Sequence, residues 1–158
     1  MAAADFYPTI LIFIMAQQSK NKVKIEKKYE NVGRLPRSSM GTIKQLFGLE
    51  RGVFSIKVAM ENALKHNDKH LEEIAVELAN LGLTQADYIR FVANSFNRIA
   101  LGNVPMSLVL VVDPGEELGH MAAIHLHFEK NQNFWLVTSV HSMRRRDVEK
   151  LNIVWNEK

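Results

Sequence analysis

At Pro105 the hydrophobic period of this chain changes, and that change does most to limit what it can fold into. Upstream, apolar residues recur at helical spacing: Ala59, Ala63 and Leu64, then Leu71, Ile74, Ala75 and Leu78, then Tyr88, Phe91, Val92 and Phe96. Steps of three and four put such side chains on one helix face. Downstream, Met106–Val112 is a continuous apolar run of strand length, and His120–Phe128 alternates. A short loop at Glu129–Asn133 leads into Phe134–Ser142, which is the pattern of a hairpin. Asn152–Trp155 supplies a last short strand. Helices first and strands afterwards predict an α+β fold, with N-terminal helices packed on a C-terminal antiparallel β-sheet of about four strands.

Local signals punctuate this plan. Ser39–Phe47 reads as a short helix closed by Gly48, and Gly82 is a good helix stop. Thr84-Gln85-Ala86-Asp87 has the form of a capping box for a third helix, which Gly102-Asn103 ends. That places Arg98 near the end of the third helix. Asn67-Asp68 reads as a kink or as the cap of a further segment, and Asp113-Pro114-Gly115 as a turn.

A chain of 158 residues is long enough for one domain with a proper core. The turn-rich stretch Gly33-Arg34-Leu35-Pro36-Arg37-Ser38 marks its start, giving an N-terminal extension over residues 1–32 and a single domain over residues 33–158. The extension opens on the apolar run Tyr7–Met15, far short of the roughly 20 residues of a membrane-spanning helix. It has neither the basic flank nor the small-residue cleavage site of a secretory signal. The run reads as a buried strand, or as sequence ahead of a true start at Met15. No membrane association is expected, and a cytoplasmic site of action is. Residues 16–32 read as a lysine-rich linker or an exposed strand.

Without cysteine the chain has neither disulfides nor thiolate metal sites. The formal charge of +3 is modest, but it is concentrated. Lys20, Lys22, Lys24, Lys27, Lys28, Arg34 and Arg37 face only Glu26 and Glu30 within their stretch, and Arg144, Arg145 and Arg146 are consecutive. Such clustering favours an acidic partner.

Three groups of residues bear on chemistry. The segment Phe134–Arg146 is a strand carrying Thr138, Ser139 and His141 that runs into the triple arginine, and these groups suit an anionic ligand such as a phosphodiester. If the segment from Leu64 to His70 is one helix, His66 and His70 share a face and Lys65 and Lys69 form a parallel pair. No glutamate follows His66 as a zinc-protease motif requires, and the segment reads as a solvated helix end or as imidazole and ammonium groups offered to a phosphate. His125 and His127 lie on one face of their strand while Ile124, Leu126 and Phe128 point to the other, towards the helices. Pairing Leu126 with Val137 would set His125 opposite Thr138, and a slip of one residue would undo it.

In order along the chain, Gly33-Arg34-Leu35-Pro36, Leu64-Lys65-His66, Lys69-His70, Asp87-Tyr88-Ile89 through Asn94-Ser95-Phe96-Asn97-Arg98-Ile99, Gly102, the strand FWLVTS with its basic sequel and Ile153-Val154-Trp155 resemble the phage-associated branch of the barnase, EndoU, colicin and RelE-like nuclease superfamily. The resemblance covers roughly residues 33–158. It implies an α+β nuclease toxin domain that cleaves RNA without a metal ion or other cofactor, leaving a 2′,3′-cyclic phosphate. Carried over by position, His70, Lys69 and Thr138 become catalytic candidates, with His66 or His125 as alternative general bases. Arg98, Arg144, Arg145, Arg146 and Lys65 become phosphate-binding cations. The implied partners are RNA, with tRNA one candidate, and a cognate immunity or antitoxin protein, within a phage or toxin delivery system. The rival expectation is a non-catalytic RNA- or protein-binding module of phage or mobile-element origin.

Overall fold

The computed structural model describes residues 28–65, 78, 80, 82–115 and 120–157. They form a mixed α/β chain: β1 (Glu30–Arg34), α1 (Arg37–Phe47), β2 (Ser55–Val58), α2 (Met60–Lys65), α3 (Gln85–Ser95), β3 (Arg98–Leu101), β4 (Ser107–Val112), β5 (His120–Glu129), β6 (Phe134–Arg144), α4 (Arg145–Glu149) and β7 (Ile153–Asn156). All the described strands belong to one seven-stranded sheet in the order β1-β2-β6-β5-β4-β3-β7. The sheet is therefore larger than the expected four strands and is not confined to the C-terminal half.

Two strands enter it from segments that carry helical spacing or no spacing at all. β2 pairs with β1 antiparallel and with β6 parallel, through Ile56 with Trp135 and Lys57 with Leu136. The sheet is consequently mixed. β3 takes up Arg98–Leu101, where the third helix was expected to continue. Phe96 leaves α3 with extended backbone, and Arg98 then pairs with Val111 of β4 and Asn156 of β7. Two ladders of partners outweigh a four-residue propensity.

The helices end where their caps put them. Pro36 precedes α1, and Gly48 closes it at a φ of 65° that costs glycine little. Thr84 and Asp87 complete the capping box of α3 in both directions. The buried stripe of α3 is Tyr88, Ile89, Val92 and Ala93, whereas Phe91, expected in that stripe, is 46% exposed. Gly33 lies inside β1 rather than in a turn. A Cβ there would run into the Ala93 carbonyl oxygen, so glycine is what lets α3 lie so close on β1.

The sheet buries both faces, unequally. On the first, Met40 and Ile43 of α1 and the α3 stripe share one cluster with Ile56, Val58, Ile99, Leu108, Leu110, Ile124, Leu126, Phe128, Trp135, Val137 and Val140. On the second, a smaller cluster joins Ala100, Val109, Val111, Met121 and Ala123 to Val148 of α4. β4 is buried on both sides, which is why its sequence Leu108–Val111 has no alternation.

Candidate functional site

The second face changes character along β5 and β6. At the β3–β4 end it is apolar and lies under α4. Further along, the same alternation brings out His125 and His127 on β5 and Ser139 and His141 on β6, all half-buried. The expected division of β5 holds: Ile124, Leu126 and Phe128 join the first-face core.

Leu126 pairs with Val137, the register that the sequence left open, but the next step differs. The register shifts between His125 and Leu126, so that His125 faces Ser139, and Thr138 becomes the extra residue of a β-bulge. The Thr138 hydroxyl donates to the His125 carbonyl at 3.3 Å, and the side chain is exposed. Because His125 faces Ser139 and Ala123 faces His141, the two imidazoles are diagonal neighbours. Their ring centroids are 4.2 Å apart with planes inclined at 49°. Ser139 Oγ lies 3.1 Å from His141 Nε2. From behind, the buried Tyr88 of α3 donates its hydroxyl to the His141 carbonyl at 2.7 Å, so the helix side of the sheet fixes the strand that carries this ring.

The arginines are arranged differently from the expectation. Arg98 on β3 reaches Asp113 at 2.6 Å, and Arg145 at the start of α4 holds the same carboxylate with two nitrogens at 2.9 and 3.2 Å. Asp113 is itself fixed by Asn97, whose side chain both donates to and accepts from the Asp113 backbone. Hydrogen bonding from Arg145, with help from the Gly115 N–H and the charge of Arg98, holds the Asp113 carboxyl below the usual carboxylate range, although burial pushes the other way. Arg98 and Arg145 therefore tie β3 and α4 together around an internal anion. Arg144 ends β6 exposed, and Arg146 is exposed with Asp147 at 3.9 Å.

Of the helix candidates, His66, Lys69 and His70 lie outside the described residues, and Lys65 is the last residue of α2. α2 itself runs beside β6. Between them a cavity of about 210 Å³ is lined by Tyr29, Ala59, Asn62, Ala63, Leu136, Val137 and Thr138. Lys57 and Phe134 lie near it, with the Lys57 ammonium 5.1 Å from the Phe134 ring centre and Tyr29 packed on Phe134 at 4.9 Å.

Reasoning from sequence placed Thr138 and His125 among the catalytic candidates, named Ser139 and His141 only as groups suited to an anionic ligand, and gave Asp113 no part in a site. His141 and Ser139 were within reach, because the Leu126–Val137 pairing brings them to His125 once a bulge is allowed. Asp113 carried only a turn signal, and its partners come from strand pairing. Among the described residues, no three His, Asp or Glu side chains gather as a metal site, and no helix is long and apolar enough to cross a membrane. Comparison with protein-family models, with curated proteins and with solved structures gives no match to this chain.

Proposed function

We propose that this chain is an endoribonuclease that needs no metal ion, an α+β nuclease domain of the toxin class it resembles, with its chemistry on the histidine-bearing part of the second sheet face. The observation that carries the reading is the His125–His141 contact beside the Ser139 hydroxyl. Imidazole titrates near neutrality, which suits it to both halves of a proton transfer. The proposed step needs one neutral ring as base and one protonated ring as acid.

In the proposed step the neutral ring takes the proton from a ribose 2′-hydroxyl. O2′ bonds to the adjacent phosphorus while the bond to the departing O5′ breaks. The protonated ring gives its proton to that oxygen, and the products are a 2′,3′-cyclic phosphate and a 5′-hydroxyl. Ser139 and Thr138 donate hydrogen bonds to the phosphate oxygens. Charge stabilisation comes from Arg144 and Arg146, with Lys65 and Lys69 as further candidates, since Arg98 and Arg145 already serve Asp113. His66 and His70 keep their proposed place as alternative bases.

Incubating the purified chain with RNA in EDTA should give fragments with cyclic phosphate ends. His141→Ala should slow their release by about 10²–10⁴-fold. Intact RNA, or an unchanged rate in both His141→Ala and His125→Ala, would end this reading. A second reading, a module that binds RNA or a protein without cleaving, draws on the commitment of Arg98 and Arg145 to an internal carboxylate. It predicts salt-sensitive binding with the RNA left whole. A toxic nuclease also needs a cognate inhibitor, for which an acidic protein suits the basic surface.

A further inference from the structure

We propose that the cavity between α2 and β6 is a subsite for one unpaired nucleobase, set so that the attached phosphate reaches the histidine pair. This rests on the RNA reading above and adds to it what the site would select.

The cavity's size comes first. At about 210 Å³ it is smaller than the roughly 300–1,000 Å³ of pockets that hold drug-sized ligands, so it takes a ring system but not a whole nucleotide. Its walls come second. Ala59, Ala63, Leu136 and Val137 make them apolar, and Tyr29 adds a half-buried aromatic side chain held by its packing on Phe134. An aromatic beside an apolar slot is how single-stranded RNA bases are held once they leave the stack. Among the described residues, the other polar side chains lining the cavity are Asn62 and Thr138. A carboxamide offers a donor and an acceptor side by side, which matches the edge of a nucleobase and distinguishes it from a plain hydrocarbon ring.

Thr138 is the link to chemistry. It lines the cavity and also bonds the backbone of His125. The bulge that makes it the extra residue turns it towards the cavity while Ser139 stays beside His141. A base seated against Asn62 then has Thr138 between it and the backbone of His125, and its sugar and phosphate leave on that side. On its other side the cavity shares Tyr29, Ala59 and Asn62 with a wider one of about 510 Å³ rimmed by Glu30, Glu61 and Lys28, where Arg90 engages Glu30.

The test uses the full chain and labelled single-stranded RNA hexamers of each base with 2′-O-methyl riboses, which bind but cannot be cut. Anisotropy titrations should show at least one base bound about tenfold or more tighter than the weakest. Asn62→Leu should bring all four within about twofold. Asn62→Asp, which replaces the donor by an acceptor at the same size, should reorder them. Tyr29→Leu should weaken the preferred base about tenfold, and Tyr29→Phe should restore it. Equal binding of all four by the unaltered chain, or a ranking that survives both Asn62 variants, overturns the subsite. Cleavage of natural RNA without base preference would sink the subsite and leave the nuclease. An Asn62-dependent preference without cleavage would do the reverse.

Discussion

The two faces of this sheet are built from the same strands and have opposite characters. On the first, side chains from α1 and α3 interlock with residues from six of the seven strands, and nearly every position is apolar and fully buried. On the second, the apolar cluster stops at Ala123, and one alternation further along β5 the chain presents His125. Neighbouring residues on one strand thus alternate between buried packing and half-buried polar groups. The lesson is that the first face supplies rigidity so that the second can hold polar groups in contact without collapsing around them.

The sharpest way to break this comparison is to truncate adjacent residues on β5. Ile124→Ala should lose about 2–5 kcal/mol of stability in denaturant unfolding, since Ile124 is completely buried. His125→Ala should lose under about 1 kcal/mol while RNA cleavage falls sharply. Equal losses of stability would mean that the second face is core as well.

A smaller effect tests what holds the covered end of the second face. Asp113→Asn should cost about 1.5–3 kcal/mol, because both Arg98 and Arg145 lose the charge they bond. The sign with pH follows from the carboxyl being held below its ordinary value of 3.8. Its contribution is present in full above that value and is lost as pH falls through the lower folded value. Unfolding of the unaltered chain should therefore grow easier below about pH 4, and Asp113→Asn should flatten that dependence. An unchanged acid profile would assign the acid sensitivity to other carboxylates.

The smallest expected effect probes a hydrogen bond from the helix side to the strand that carries His141. Tyr88→Phe should cost about 1 kcal/mol and loosen His141 from behind. Cleavage slowed by more than the stability change explains would show that the two faces are coupled at that carbonyl. Cleavage unchanged would separate them.

Much of this was legible in the sequence, and the gaps have physical reasons. The long strands announced themselves because alternation over eight or more residues is a strong signal, whereas the pairing of Leu126 with Val137 was one register among several that the apolar pattern allowed. The bulge at Thr138 was hidden because it displaces one residue and leaves the apolar pattern on either side intact. Ser55–Val58 and Arg98–Leu101 are too short to declare a period, and RIAL after a helix reads as more helix. What makes them strands is a partner elsewhere in the chain. The Asp113 clasp was illegible for the same reason: its two arginines arrive by separate routes, one along β3 and one at the entry to α4. The imidazole pair itself needed only the register and one bulge.

The parallel seam between β2 and β6 has a consequence for how the chain comes into being. Trp135 donates its indole N–H to the Val53 carbonyl across 82 residues of sequence. At synthesis rates of roughly 5–20 residues per second, β1 and β2 leave the ribosome roughly 4–16 seconds before the strand they must join. Until then Ile56 and Val58 have only β1 to pair with. A nascent chain of this kind has no histidine face until both β5 and β6 have emerged.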